Sequence, residues 1–189
     1  FDNNSFKIVY TGALSSYYAL EYLLDAAASL KVTRPNIKFI IVGDGDDRMR
    51  YEEMKFELKL DNVYFLGHLP KKNMLSVIRQ SDLAFLGLKD TKANRFGIST
   101  NKIYEYMYAR KPILASYKTD HDVVKESGAG LSVEPESADA IQKAIVEMYE
   151  LSQRERDGMA SKGYEYLMMH HTFETISNQY VEFIQSLDK

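Results

Sequence analysis

The sequence predicts an α/β fold: a doubly wound parallel sheet of about six strands, with helices on both faces and extra helices at the C-terminal end. Two observations support this prediction. Short apolar runs without polar alternation recur along the chain, as expected for strands that are buried on both faces. Longer segments with apolar residues at helical spacing separate these runs, which is the pattern of parallel strands connected by helices.

The individual elements follow one another in a regular order. The predicted strands are residues 6–11, 37–42, 62–66, 83–88, 113–116 and 129–133. The predicted helices lie within residues 20–30, 51–58, 70–78, 101–109, 141–148, 154–169 and 172–187. Thr100 is expected to cap the fourth of these helices, and Pro112 to force its end. Asp120 is expected to cap a further short helix, and the Met and Phe stripes are expected to lie in the core.

The composition excludes several classes of protein. The chain has 189 residues, of which 45% are hydrophobic, so it forms a sizeable core and is not disordered. Its 24 basic and 27 acidic residues give a net charge of −3, so nucleic acid is not an expected partner. The absence of cysteine excludes a disulfide framework and a cysteine-based zinc site. No apolar run approaches the roughly 20 residues that span a bilayer.

The predicted topology indicates where a ligand binds. A Rossmann-like sheet with strand order 3-2-1-4-5-6 binds ligands beyond the carboxyl ends of its strands, where the direction of winding reverses. The expected crevice therefore lies between the loop after the first strand and the polar loop 89–99 after the fourth. That loop is long for a compact domain, and such loops are usually functional. No repeat, linker or low-complexity tract interrupts residues 1–189, so they are expected to form one domain. Because the chain begins with Phe1 rather than Met, this domain is expected to be a piece of a longer protein.

Two ligands that the fold class suggests are not favoured by the residues present. A dinucleotide site needs three glycines in the turn after the first strand, and Gly12 is alone there. The segment 43–48 has two glycines, but its three carboxylates would repel a pyrophosphate. The same carboxylates have the spacing of a divalent-metal site; the commoner interpretation is that Asp46 or Asp47 caps the next helix.

The most informative segment opens the fourth predicted helix. Ser99, Thr100 and Asn101 lie where free backbone N–H groups attract a phosphate. Lys102 adds a positive charge, and Glu105, one turn further, can accept two hydrogen bonds from vicinal hydroxyls such as those of a ribose. An ordinary capped helix with a surface Lys and Glu explains the same residues, and the pattern alone does not decide between the two.

The chain as a whole resembles the C-terminal half of a GT-B glycosyltransferase of family 4, also described as glycosyl transferases group 1. The landmarks are IVYTG (residues 8–12), IVGDG (41–45), NVYFLG (62–67) and NKIYEYM (101–107), followed by Lys111 and Pro112. They occur in the family's order over nearly the whole chain, so they are specific as a set.

This resemblance implies roles for particular residues. Glu105 matches the second glutamate of the family's paired-glutamate motif, which binds the nucleotide ribose. The segment 67–69 matches the part that frames the base, and the turn at Gly12 and the helix start near Ser99 match the diphosphate-binding elements. The predicted donor-binding residues are Gly12, Ala13, His68, Leu69, Gly97, Ser99, Thr100, Asn101, Lys102 and Glu105.

Two departures of the sequence from the family pattern concern the predicted donor site. Gly97 stands where the first glutamate of the pair touches the donor sugar, so the identity of that sugar is not predicted. Ala13 and the Tyr17–Tyr18 pair stand where many relatives carry Arg and Lys, and Lys102 is expected to supply part of the missing charge. Two consecutive aromatic residues cannot both face the core, so one of the tyrosines is expected to be exposed.

The resemblance implies retaining transfer from a UDP- or GDP-sugar in bacterial surface-polysaccharide biosynthesis (capsule, lipopolysaccharide or exopolysaccharide), without a metal or other cofactor. A glycan or lipid-linked acceptor would be bound by an N-terminal domain that this chain lacks, and no catalytic residue is assigned here. The implied location is cytoplasmic, with peripheral association of the full-length protein at the inner face of the plasma membrane. The isolated piece is expected to bind nucleotide weakly and to transfer nothing. The alternatives are a domain of an NAD- or other nucleotide-dependent oxidoreductase and a non-enzymatic α/β interaction module.

Overall fold

A computed structural model describes residues 5–98 and 100–187, and in them six parallel strands form one sheet in the order β3-β2-β1-β4-β5-β6. The strands are β1 (Phe6–Thr11), β2 (Ile37–Val42), β3 (Val63–Gly67), β4 (Leu83–Gly87), β5 (Ile113–Ser116) and β6 (Gly130–Val133). The direction of winding reverses between the central neighbours β1 and β4. The predicted fold class and strand order are both confirmed.

The helices cover both faces of the sheet. Within the described residues they are α1 (Leu20–Thr33), α2 (Arg48–Glu57), α3 (Lys71–Arg79), α4 (Asn101–Tyr108), α5 (Val123–Ser127), α6 (Ala138–Glu150), α7 (Gln153–His170) and α8 (Phe173–Leu187). Residues of α1, α2 and α6 pack in one hydrophobic cluster, and residues of α3, α4, α5 and α7 in another. Since α4 starts after the loop that follows β4, its N-terminal end lies at the carboxyl edge of the sheet.

The alternation of side chains along each strand explains the two clusters. In β1, Ile8 and Tyr10 pack in the cluster with α1, whereas Val9 packs in the cluster with α3 and α4. All three side chains are at most 1% exposed. Burying an apolar side chain of this size stabilises the fold by about 1.5–3 kcal/mol, so a strand that is apolar on both faces is stable only between two helical layers.

The capping residues of α4 and α5 test two of the helix starts predicted from the sequence. The Thr100 hydroxyl accepts from the backbone N–H of Lys102 at 3.4 Å, as the predicted cap of α4. The prediction for Asp120 was wrong: α5 begins after Asp122, whose carboxylate accepts from the Lys125 N–H at 3.0 Å. The capping residue is the one whose carboxylate the backbone brings to the free N–H groups of the first turn. The sequence offers both Asp120 and Asp122 for this role and does not distinguish them.

The loop between β4 and α4 is more ordered than its polar sequence suggested. A 3₁₀ turn (Lys92–Phe96) lies inside it, and the buried Asn94 anchors that turn. The side-chain amide of Asn94 donates to the Lys89 carbonyl at 2.8 Å, and its Oδ1 accepts from the Tyr17 hydroxyl at 2.8 Å. The loop after β4 is thereby tied to the loop after β1.

The expectation that the Met and Phe stripes form core was wrong for several residues. Phe56, Phe96 and Phe173 are 84–94% exposed, and α8 has no buried residue. The apolar spacing of α8 indicated a helix face that avoids water, but the described residues provide nothing that covers it. No described helix combines the length and apolar character that crossing a membrane requires.

Candidate functional site

A cleft of about 1270 Å³ opens at the carboxyl edge of the sheet. The end of β1 contributes Thr11 and Gly12, the N-terminal half of α4 forms one wall, and the loop after β3 with α3 forms the other. Small-molecule sites typically measure about 300–1,000 Å³, so this cleft has room for an extended ligand. Its position agrees with the switch point predicted from the topology, although the wall facing α4 comes from β3 and α3 rather than from the loop after β4.

Most of the predicted site residues line this one cleft. They are Gly12, His68, Leu69, Thr100, Asn101, Lys102 and Glu105. Ala13 and Gly97 are exposed and do not line it, and Ser99 lies outside the described residues. The Ala13 carbonyl accepts a hydrogen bond from the Tyr10 hydroxyl at 2.6 Å, while a Cβ added to Gly97 would meet no atom within 4 Å. The position of the missing first glutamate therefore faces open space.

Lys102 reaches across the end of β1. The residue is 8% exposed, and its Nζ lies 3.6 Å from the ring centroid of Tyr18 and 5.7 Å from that of Tyr10. A Cβ added to Gly12 would lie 2.3 Å from Cε and 2.6 Å from Nζ of the lysine. Gly12 also has a φ of 131°, which L side chains rarely adopt. The positive φ favours glycine at this position, and a side chain there would also require Lys102 to move.

The two charged side chains of α4, Lys102 and Glu105, have no hydrogen-bond or ion-pair partner among the described residues. Neither the Lys102 ammonium nor the Glu105 carboxylate makes a hydrogen bond or ion pair there, with each other or with any other described group. The ordinary interpretation, a solvated surface pair, does not fit a lysine that is this deeply buried. The cleft therefore presents an ammonium that pairs with no described carboxylate, next to the open N-terminal end of α4, and this combination suits an anion.

Tyr106 fixes the helix that carries these charges. Its fully buried hydroxyl accepts from the Thr11 N–H at 3.1 Å and from the Thr11 hydroxyl at 3.3 Å, and it donates to the Phe85 carbonyl at 3.2 Å. Burial raises the pKa of Tyr106 to about 12, so the hydroxyl keeps its proton at neutral pH. One side chain thus joins α4 to the ends of β1 and β4.

The outer part of the cleft is aromatic and apolar. The ring of Tyr104 lies 4.4 Å from that of His171, with an angle of 38° between the planes. Burial and the neighbouring His170 lower the pKa of His171, so its imidazole is neutral at neutral pH. The facing wall is formed by side chains of α3, namely Met74, Leu75 and Ile78. This part of the cleft suits a planar or apolar group.

The acidic segment after β2, residues 43–48, makes hydrogen bonds and ion pairs with neighbouring residues. The Asp44 carboxylate accepts from the Gly45 N–H at 2.9 Å and pairs with Arg48 at 3.4 Å. Asp47 is the N-cap residue of α2 but makes no side-chain capping bond, and it lies 4.0 Å from Arg50. In the parts of the chain that the structure describes, no group of three or more metal-ligating residues is close enough to hold an ion.

Sequence reasoning missed three contributions to the cleft: the ring of Tyr18, the bridging hydroxyl of Tyr106, and the wall formed by α3 and α7. The one available signal was the Tyr17–Tyr18 pair. Tyr17 is 40% exposed, as expected for one of the two, and Tyr18 lines the cleft. The other contributions depend on contacts between elements that are distant in the sequence.

Residues 1–166 match the family model described as "Glycosyl transferases group 1", and the chain therefore belongs to this family. The predicted family resemblance is confirmed, and the fold is that of the Rossmann-like domains of GT-B glycosyltransferases.

Individual relatives agree with this family. The chain is 28% identical, over 149 residues and 73% of its length, to alpha-D-kanosaminyltransferase of Streptomyces kanamyceticus, of which it covers 36%. A structure of HepE from Anabaena in complex with UDP matches 97% of this chain and 49% of its own, with 20% identity and a TM-score of 0.82. Sucrose-phosphate synthase of Thermosynechococcus elongatus matches 99% of this chain and 46% of its own, with 20% identity and a TM-score of 0.83. The chain spans half or less of each of these relatives.

Proposed function

We propose that this chain is the donor-binding domain of a GT-B glycosyltransferase and that its cleft binds a nucleotide-diphospho-sugar. The observation that carries the proposal is that two charged residues of α4, Lys102 and Glu105, line the same cleft without an ion-pair partner among the described residues. Membership of the group 1 family supports this class of ligand. So does the UDP bound to HepE, a structure of the same fold.

The diphosphate is assigned to the inner end of the cleft. The opening turn of α4 directs backbone N–H groups and the positive end of the helix dipole toward this region. The Lys102 ammonium adds charge-assisted hydrogen bonds, which are stronger than those between neutral groups. In a transfer reaction, the same groups would stabilise the negative charge that develops on the departing nucleoside diphosphate.

The ribose and base are assigned to the middle and outer parts. Glu105 lies one helical turn from Lys102, so its two carboxylate oxygens can accept hydrogen bonds from the vicinal ribose hydroxyls while the diphosphate contacts the lysine. His68 and Leu69 line the facing side of the cleft, next to the apolar residues of α3, where a base ring would be sheltered from water. Uridine and guanosine diphosphates are both candidates.

The remaining features of the reaction rest on the family resemblance. The proposed transfer retains the anomeric configuration and belongs to bacterial surface-polysaccharide synthesis on the cytoplasmic side of the membrane. The acceptor, a glycan or a lipid-linked sugar, would be bound by a second domain, consistent with the fraction of each relative that this chain spans. We expect this chain alone to bind the donor without transferring its sugar. The family resemblance further implies that the proposed binding needs no divalent cation.

A thermal-shift screen tests the proposed ligand class. The probes are UDP, GDP, ADP and their glucose or mannose derivatives, each with EDTA or with Mg²⁺, and NADH represents the oxidoreductase alternative. A ligand at a hundred times its dissociation constant stabilises the fold by about 2.7 kcal/mol, which is easily measured. Stabilisation by a nucleoside diphosphate in EDTA is the expected result. A response to NADH alone would overturn the proposal.

A substitution at Glu105 tests the proposed ribose contact. Glu105→Gln keeps the size of the side chain but removes its charge, so we expect UDP or GDP to bind at least about tenfold more weakly, while inorganic pyrophosphate binds as before. Isothermal titration calorimetry measures both affinities. Glu147→Gln, on the exposed surface of α6, is the matched control. Equal losses for nucleotide and pyrophosphate would contradict the ribose contact.

A further inference from the structure

We propose that Tyr18 is a positioning residue: its ring fixes the Lys102 ammonium at the point of the cleft where the anionic part of a ligand binds. This inference rests on the proposed function, since the anion is the diphosphate assigned above. It adds a residue from the loop after β1 that acts through the lysine.

The position of the ammonium supports this role. At 3.6 Å from the ring centroid, Nζ lies directly within the range of a cation–π interaction, which extends to about 6 Å. Gly12 borders the same ammonium, close enough that a Cβ there would collide with it. The charge therefore lies between an aromatic face and a bare backbone, and both Tyr18 and Gly12 line the cleft.

The chemistry of this contact leaves the lysine available to a ligand. A carboxylate partner would hold the ammonium but neutralise its charge and use its N–H donors. An aromatic ring attracts the cation through its quadrupole and accepts no conventional hydrogen bond. Among the described residues the ammonium has no such acceptor, so its donors stay free for phosphate oxygens while the long, flexible stem is held in one place.

Tyr18 is itself held by its surroundings. Its ring packs edge-on against Tyr10, with 6.0 Å between centroids, and against Tyr17, with 5.3 Å. The Tyr17 hydroxyl donates to Asn94, and the Tyr17 carbonyl accepts from the Lys89 N–H at 2.9 Å. These bonds fasten the loop after β1 to the loop after β4. The ring is therefore placed before a ligand arrives.

The test compares substitutions that remove or keep the ring. Tyr18→Leu should weaken UDP and GDP binding by about 3- to 30-fold in calorimetry, the range expected from losing one cation–π contact. Tyr18→Phe, which keeps the ring, should restore the affinity to within about twofold of wild type. Uridine and guanosine, which lack phosphate, should bind the wild type and the Leu variant alike when measured by ligand-observed NMR. A role confined to structural support would weaken nucleoside and nucleotide together.

A double-mutant cycle with Lys102→Met isolates the proposed coupling. If Tyr18 acts through the lysine, Tyr18→Leu causes no further loss once the ammonium is gone. If circular dichroism shows that the Leu variant is not folded, Tyr18→Met takes its place as the ring-free variant. Three results would overturn the Tyr18 inference and leave the proposed function standing. They are wild-type affinity in the ring-free variant, equal affinities of the Phe and ring-free variants, and additive losses in the cycle. If the wild type binds neither UDP nor GDP, the proposed function fails and the inference fails with it.

Discussion

Replacing Lys102 by methionine separates ligand binding from stability, because binding an anion depends on the charge whereas most of the packing does not. Methionine matches the lysine stem in length and keeps the packing across Gly12, but it carries no charge. The substitution removes the one buried cation that lines the described cleft. No acceptor is left without its partner, since the ammonium has none among the described residues.

The magnitudes follow from the surroundings of the ammonium. A hydrogen bond to a charged group contributes about 1.5–3 kcal/mol, so the affinity for UDP or GDP should fall by about 10- to 150-fold. Loss of the contact with Tyr18 removes about 0.5–2 kcal/mol of stability. The free energy of unfolding should therefore fall by no more than this amount, since methionine keeps the packing of the lysine stem.

Calorimetry with the nucleoside diphosphate and urea unfolding of the free protein measure the two effects. The control is Lys111→Met: Lys111 is half-buried just before β5, at the amino edge of the sheet, and its burial lowers the pKa of its ammonium. That variant should bind the nucleotide like the wild type. An unchanged affinity in Lys102→Met, or an equal loss in both variants, would refute the assignment of the diphosphate to the N-terminal end of α4.

Three further predictions concern the support of the site. Gly12→Ala strains a backbone with a φ of 131° and displaces Lys102. We therefore expect the free energy of unfolding, measured with urea, to fall by about 1–3 kcal/mol and nucleotide binding to be lost. A variant as stable as the wild type would contradict the predicted strain. Tyr106→Phe removes the hydroxyl that joins α4 to β1 and β4, so it should lower the free energy of unfolding by about 1–3 kcal/mol. An unchanged urea midpoint would show that these hydrogen bonds contribute nothing to stability. The folded-state pKa of His171 lies below its unfolded value of 6.5, so the unfolded state binds more protons and stability should decline as the pH falls below that value. Melting curves between pH 7.5 and 5 should be flatter for His171→Phe, and identical profiles would argue against this effect.

Much of the fold was predictable because its signals are local. The strands are apolar on both faces, and this pattern fixed β1, β2 and β5 to the residue. β3 begins one residue later than predicted, although the Asn62 carbonyl already accepts from the Phe39 N–H of β2 at 2.8 Å. Helix α8 shows the limit of such signals: spacing revealed its apolar face but not whether anything packs against it.

The candidate site was predictable in outline for the same reason. The carboxyl ends of parallel strands meet at one edge, so topology alone brought Gly12 and the start of α4 toward one cleft, while Leu69 was added by the family resemblance. Gly97 and Ala13 were included through the family motif, and the structure leaves both outside the lining. A sequence motif gives only the position of a residue in the chain. Whether that residue lines the cleft depends on the path of the loop that contains it.

The sequence by itself determined the layered architecture, the switch point and the helix that carries Lys102 and Glu105, because burial pattern and helical spacing are properties of neighbouring residues. Only the tertiary structure decided that most of the Lys102 side chain is buried, that it lies between Tyr18 and Gly12, and that no described carboxylate pairs with it. These properties arise from contacts between β1, its following loop and α4, and no local pattern encodes the distance between side chains so far apart in the chain.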